Sequence, residues 1–288
     1  KLEVLSRATR EQIEELPEYV QNTNITVQHI EQGHVFDLEI HVYYEQEHAS
    51  VRIVDTHTNI VQIEKNWQVI FEDKTTSLEL KADHSALIMK QIWDFSQTVD
   101  IDDVKEILDR QITCNMAIAN EGIHNSYGAN IGHVILNMDS DCVKTRAKAY
   151  AAAGSDARMN GCELPVVINS GSGNQGITCC VPVVVYAKEL DCTQEQLYRA
   201  LVLSNLTAIY IKTGIGTLSA FCGAVSAGAA AGAGIAYLHN GTYKEIQHTI
   251  VNALAILSGT ICDGAKASCA AKIASSVDAG IMGYYMYK

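Results

Sequence analysis

From Thr217 to Leu238 the chain runs TLSAFCGAVSAGAAAGAGIAYL, without a charge and built largely of alanine and glycine. Glycines four apart, as at Gly228 and Gly232, occur where membrane helices pair. The run is poor in the leucine, isoleucine, valine and phenylalanine that drive insertion, and no basic cluster flanks it. It therefore predicts a buried central helix over about Leu218–Leu238, with no membrane partner. Its small residues would let neighbouring helices approach closely.

The rest of the chain supplies the surround that such a helix needs. With 288 residues, 48% of them hydrophobic and 19% charged, two globular domains are expected. The net charge of −12 argues against a nucleic-acid partner, since phosphate binding needs a basic surface. That charge is unevenly placed. Residues 1–110 hold 22 acidic and 10 basic residues, one glycine and no cysteine, whereas 111–288 are neutral and hold all nine cysteines. The composition thus predicts a small acidic α+β domain over 1–110 and a mostly helical domain over 111–288, an α+β chain overall. An odd number of cysteines without a signal-peptide pattern points to reduced thiols in the cytoplasm.

In the first part, Ser6 is placed to cap a helix over Ser6–Leu16 that stops at Pro17. Runs rich in valine, isoleucine and tyrosine predict strands at Ile25–Ile30, Val35–Tyr44, Val51–Val54, Ile60–Ile63 and Trp67–Phe71. Helical patterning resumes near His84 and continues through Asp102–Ile118. Further helices are predicted at about Val143–Ala152, Gly176–Glu189, Thr193–Ile211, Tyr243–Leu257 and Ser268–Tyr284.

Four groups of residues are candidates for chemistry. Cys222, Cys262 and Cys269 fall near predicted helix starts or turns, where the helix dipole lowers thiol pKa and favours an anionic cluster. Three thiolates can hold a 4Fe-4S cluster and leave one iron open. On spacing alone buried structural thiols are the better account, because Cys262-x6-Cys269 matches no common zinc or ferredoxin pattern, and Cys114, Cys142, Cys162, Cys179, Cys180 and Cys192 compete. The loop Asn169–Gly176, NSGSGNQG, offers backbone N–H groups with Ser170, Gly171, Ser172, Gly173, Asn174 and Gln175 to a carboxylate or phosphate. A tight turn capping a helix is as good an account of it. The loop also suits a pyridoxal-phosphate enzyme, although Lys148, Lys212, Lys266 and Lys272 lack a distinguishing context for a Schiff base. Arg158, in GSDARMNG, could clamp an amino-acid carboxylate or pair with Asp156. His57, Thr58 and Asn59 lie between two predicted strands, where a turn is the simpler role.

These same segments carry a resemblance. HTNIVQIE (57–64), SDARMNG (155–161), NSGSGNQGIT (169–178), LSNLTAIYIK (203–212), LSAFCGA (218–224) and ICDGAKASCAAK (261–272) resemble the L-cysteine desulfidase family, relatives of the alpha chain of iron–sulfur L-serine dehydratase. The resemblance implies a 4Fe-4S cluster on Cys222, Cys262 and Cys269. It also implies β-elimination from cysteine to pyruvate, ammonia and sulfide without pyridoxal phosphate. The catalytic base is unassigned. Family members carry further segments at both ends, including a GCTEP-like motif before the point where this chain starts, so a fragment is expected. The alternatives are L-serine dehydratase, a pyridoxal-phosphate lyase and a cluster-binding protein without turnover. A small amino acid is the expected partner, and a homodimer the expected assembly.

Overall fold

A computed structural model describes residues 8–29, 34, 36–55, 59–73, 84–216 and 219–288. Ten helices and one four-stranded sheet among the described residues make it an α+β chain of two compact units, Val4–Asp83 and one made chiefly of His84–Lys288.

The smaller unit holds α1 (Arg10–Asn22) and strands β1 (Asp37–Tyr44), β2 (Glu47–Val54), β3 (Ile60–Lys65) and β4 (Gln68–Glu72). Each strand runs antiparallel to the next in the order β1-β2-β3-β4. Asn66 and Trp67 both take positive φ between β3 and β4, the two-residue turn whose twist matches the flanking strands. The Asn66 side-chain oxygen accepts the His48 N–H at 2.9 Å and ties that turn to β2. One face buries His48 and Ser50, with His48 stacked on Trp67 at 4.1 Å, while Leu38, Ile40 and Val42 are exposed.

Two expectations for this unit are corrected. Residues 25–29 form no regular structure, so the expected strand at Ile25–Ile30 is missing over its described part. The helix is capped by Thr9, in a reciprocal box with Gln12, and runs through Pro17 instead of stopping there. It buries no residue, so water can satisfy the carbonyl that Pro17 leaves without a donor. Ser6 lies outside the described residues.

The larger unit holds α2 (Met89–Thr98), α3 (Ile101–His124), α4 (Ile131–Met138), α5 (Val143–Met159), α6 (Gly173–Glu189), α7 (Gln194–Ile215), α8 (Gly223–Leu238), α9 (Tyr243–Ile256) and α10 (Cys269–Tyr285). Local chemistry accounts for several starts: Thr193 with Gln196, and Thr242 with Glu245, form capping boxes. Helix α8 is central and packs on α6, α7, α9 and α10, with Ser226 through Ala236 all buried. Its small residues are therefore used inside the chain. Among the described residues no helix is long and apolar enough to cross a membrane.

Helix α8 begins at Gly223 and not near Leu218. The Cys222 N–H donates to the Thr260 carbonyl at 3.1 Å and the Cys262 N–H to that of Ala220 at 2.7 Å, so this backbone pairs with a loop and cannot also join a helix. The compositional break near residue 110 falls inside α3, and the units divide at Asp83/His84. Burial explains the offset. Ile92 of α2 packs with Leu203, Ile246 and Tyr284, and Leu108 and Ile118 of α3 enter the main core.

Helix α4 was not expected from the sequence. It has no side-chain cap of its own; Asp156 on α5 accepts the Ile131 N–H at 2.6 Å instead. Asp156 is 1% exposed, and burial pushes its carboxyl above the usual range against the pull of the Ile131 and Ala129 N–H groups. A raised carboxyl pKa means that the folded chain holds the proton longer than the unfolded one. Stability from this group falls as pH climbs from about 4 through the raised pKa. Asp156→Asn should therefore fare worst against the parent near pH 4 and improve relative to it by pH 7. Urea midpoints at the two pH values check this; a pH-independent difference would rule out the titration.

Candidate functional site

The loop before α6 is built by its backbone. Asn169 and Ser172 exchange both backbone hydrogen bonds, at 3.1 and 3.0 Å, and Ser170 and Gly171 between them take positive φ. Only a glycine adopts the second of these conformations without strain, which explains Gly171. Ser172 caps α6 by accepting the Gln175 N–H at 3.5 Å, and Gly173 begins the helix. The turn is a helix cap, and it is also anchored from below. The Asn169 side-chain amide donates to the Asn205 side chain at 3.0 Å, and Asn205 exchanges amide hydrogen bonds with Gln111 at 2.8 and 2.9 Å. Asn115 holds Val167, just upstream, through both its N–H and its carbonyl. A satisfied buried amide network of this kind rigidifies what it holds.

Gln111, Asn115 and Asn205 were missed as site-forming residues. The signal was present: Gln111 and Asn115 are one helical turn apart on a face that also buries Leu108 and Ile118, and polar residues there require partners.

Arg158 occupies the last turn of α5 and reaches this loop, its Nη1 donating to the Asn174 side-chain oxygen at 3.2 Å. Asp156 is turned to α4, and Arg158 has no ion-pair partner among the described residues. Burial lowers the Arg158 pKa, and Cys269 lies within its electrostatic reach. Gly223 abuts Gln175 so closely that a Cβ there would sit 2.7 Å from the Gln175 amide carbon. The Gln175 side-chain oxygen is buried without a hydrogen-bond partner among the described residues. The start of α8 thus meets the start of α6.

Cys222 is the cap residue of α8, Cys269 the first residue of α10, and Cys262 lies in the loop between α9 and α10 that pairs with residues 220–222. Cys222 feels both other thiols as well as the Lys272 ammonium, and Lys212 feels Cys262 and Cys222. The expectation that a helix start depresses the thiol pKa is overturned at Cys222. It is 8% exposed, and burial pushes it up more than the Ala224 N–H pulls it down. Ser268 precedes α10 but its side chain caps nothing. The Cys262 loop is fastened to α10 by Lys272, which pairs with Asp263 and donates to the Ile261 carbonyl at 3.1 Å. The competing Cys179 and Cys180 are fully buried, with pKa values pushed up to about 12 and well above the ordinary thiol value. All nine cysteines are free thiols, and no three His, Cys, Asp or Glu side chains among the described residues already stand in a metal-coordinating arrangement.

His57 and Thr58 lie outside the described residues. Asn59 belongs to the smaller unit, where its side chain donates to the Val54 carbonyl at 3.0 Å and closes the β2–β3 connection.

The chain matches the family described as Serine dehydratase alpha chain over residues 1–288. It is 53% identical to a UPF0597 protein of Desulfitobacterium hafniense, a match covering 100% of this chain and 67% of that protein. Relatives of the same name in Lachnoclostridium phytofermentans and Finegoldia magna are 50% and 49% identical, over 98% and 100% of this chain and 68% and 69% of their own length. No solved structure matches. The family match spans every helix and strand that builds the loop, the arginine and the thiol group, and the chain belongs to the serine dehydratase alpha chain family, which points to a lyase-type enzyme.

Proposed function

We propose that this chain is a lyase that eliminates sulfide from L-cysteine, leaving an aminoacrylate that hydrolyses to pyruvate and ammonia. The observation that carries the reading is Arg158: a desolvated guanidinium with no carboxylate partner among the described residues, set against the Ser172–Gln175 helix start and within electrostatic reach of Cys269. Such a cation has a place for an incoming anion, and a planar guanidinium matches a carboxylate with two parallel hydrogen bonds.

Cys222, Cys262 and Cys269 would hold a 4Fe-4S cluster. The donor set fits: thiolates suit iron, while two helix N-termini and the Lys212 and Lys272 ammonium groups suit an anionic cluster. When bound, the cluster supplies a sulfur-seeking Lewis acid that makes sulfide a competent leaving group. The chain's own residues hold the substrate. Arg158 takes the carboxylate, Asn174 steers the guanidinium, and the Gln111–Asn205–Asn169 network keeps the loop from yielding, so that the Cα–H and C–S bonds are presented in one orientation.

The family name favours a second reading, L-serine dehydratase, in which water leaves instead of sulfide. A symmetric homodimer is the proposed assembly, on the frequency of such pairs alone. The test is anaerobic reconstitution followed by iron analysis and pyruvate release from cysteine and from serine. Pyruvate with sulfide from cysteine, faster than pyruvate from serine, supports the first reading; release from serine alone establishes the second. Iron binding without pyruvate from either would leave a cluster-binding protein. Arg158→Ala should raise the KM for cysteine by about ten- to a hundredfold, the loss of a charge-assisted pair of about 1.5–3 kcal/mol. An unchanged KM removes Arg158 from the site.

A further inference from the structure

Between α4, α5, α9 and α10 lies a cleft of about 360 Å³ that the elimination chemistry does not use. Its walls are apolar, formed by Ile135, Ile256, Leu257 and Met282, and it is lined also by Lys148 and Asp278. The two charges are close together, Lys148 Nζ standing 3.3 Å from Asp278 Oδ1. Each also has a second partner: Lys148 pairs with Asp139 at 2.7 Å and Asp278 with Lys144 at 3.0 Å. We propose that this cleft binds a free amino acid with an apolar side chain, as a ligand site separate from the elimination site.

The chemistry of the lining selects that class. A cation beside an anion repels half of any singly charged ligand, so a simple phosphate or a simple amine gains little there. A zwitterion, with ammonium and carboxylate joined through one carbon, presents opposite charges at matching separation. Its ammonium meets Asp278 and its carboxylate meets Lys148, and because both protein groups keep their second partners, neither is stripped of compensation while the ligand exchanges in. The side chain then lies on Ile135, Ile256, Leu257 and Met282. The volume is at the lower end of small-molecule sites, ample for one amino acid and too small for a nucleotide with its phosphates.

The position gives occupancy a consequence. Leu257 ends α9 immediately before the loop that carries Cys262, and Asp278 lies on α10, whose first residue is Cys269. A ligand bridging α9 and α10 stiffens the two elements that deliver two of the three thiols.

The experiment is isothermal titration of the cluster-free protein with L-leucine and L-methionine, alongside N-acetyl-L-leucine, which lacks the ammonium, and L-leucinamide, which lacks the carboxylate. Saturable one-site binding of the free amino acids is expected, at least tenfold tighter than either blocked analogue. Lys148→Met and Asp278→Asn should each weaken it at least tenfold. Because those changes disturb ion pairs, Ser275→Phe is the second test. Ser275 lines the cleft and is exposed, so this substitution fills the opening while leaving Lys148 and Asp278 in the chain and should abolish binding. No saturable binding at millimolar concentration overturns the proposal. So does equal binding of the blocked analogues, or binding that survives Ser275→Phe. None of these readouts needs a cluster or turnover, so they stand or fall separately from the cysteine lyase reading.

Discussion

Gly232→Ala should lower the unfolding free energy by about 3 kcal/mol or more, at the upper end of what overpacking a core costs. A Cβ at Gly232 would sit 2.5 Å from the Gly280 carbonyl oxygen and 2.8 Å from the Gly280 Cα. Every one of these neighbours is backbone, so no side chain can turn aside, and α8 and α10 must move apart. Their separation would loosen the packing of α8 against α6, α7 and α9 too, because α8 is buried on all sides. Natural domains hold only about 5–15 kcal/mol in total, so Gly232→Val should not accumulate as folded protein. The intrinsic helical preference of alanine over glycine, about 1 kcal/mol, works in the opposite direction and is outweighed. Gly214→Ala isolates that preference, since a Cβ there meets nothing within 4 Å, and it should stabilise the chain slightly. Urea unfolding followed by circular dichroism compares the two. Equal midpoints for both variants would mean that the helices do not touch at Gly232.

The second large effect concerns metal. After anaerobic reconstitution the parent chain should hold about four irons, as one 4Fe-4S cluster requires, with visible absorption that bleaches on reduction. Cys222→Ser, Cys262→Ser and Cys269→Ser should each lose most of that iron, because serine is a hard and weakly acidic donor in place of a thiolate. Cys192→Ser is the control and should keep it. Cys179 and Cys180 are poor candidates, since burial holds them protonated well above neutral pH. Full iron content in any of the three variants would remove that residue from the cluster set. Loss of iron in Cys192→Ser as well would point to instability and not to ligation.

The chemistry of the candidate site was only partly legible in the sequence. The SGSGNQG loop could be read as a helix-capping turn and as an anion site, and its structure is a cap in which Asn174 accepts a hydrogen bond from Arg158. What held the loop still was legible only as polar Gln111 and Asn115 on an otherwise apolar helix face; their partners were not. Gln111, Asn169 and Asn205 lie far apart along the chain and share no local pattern, so only folding reveals that their amides meet. The same holds for Arg158. Its nearest acid in sequence, Asp156, is two residues away, but on a helix two residues point to different faces, and Asp156 serves α4.

The sequence by itself determined the α+β character, the strands from Asp37 onward, most helices of the larger unit and the burial of the Ala/Gly-rich helix. These follow from interactions within a few residues: apolar periodicity, capping boxes such as Thr193 with Gln196, and side chains too small to cover themselves. Tertiary structure alone decided the rest. It placed α2 and the acidic α3 with the later helices through burial of Ile92, Leu108 and Ile118, which outweighs the surface charge of α3. It formed α4 through a carboxylate on another helix, and it delayed the start of α8 by pairing residues 220–222 with the loop around Cys262. That last pairing is also what sets Cys222 beside Cys262, because a hydrogen bond between distant backbone segments has no trace in local spacing.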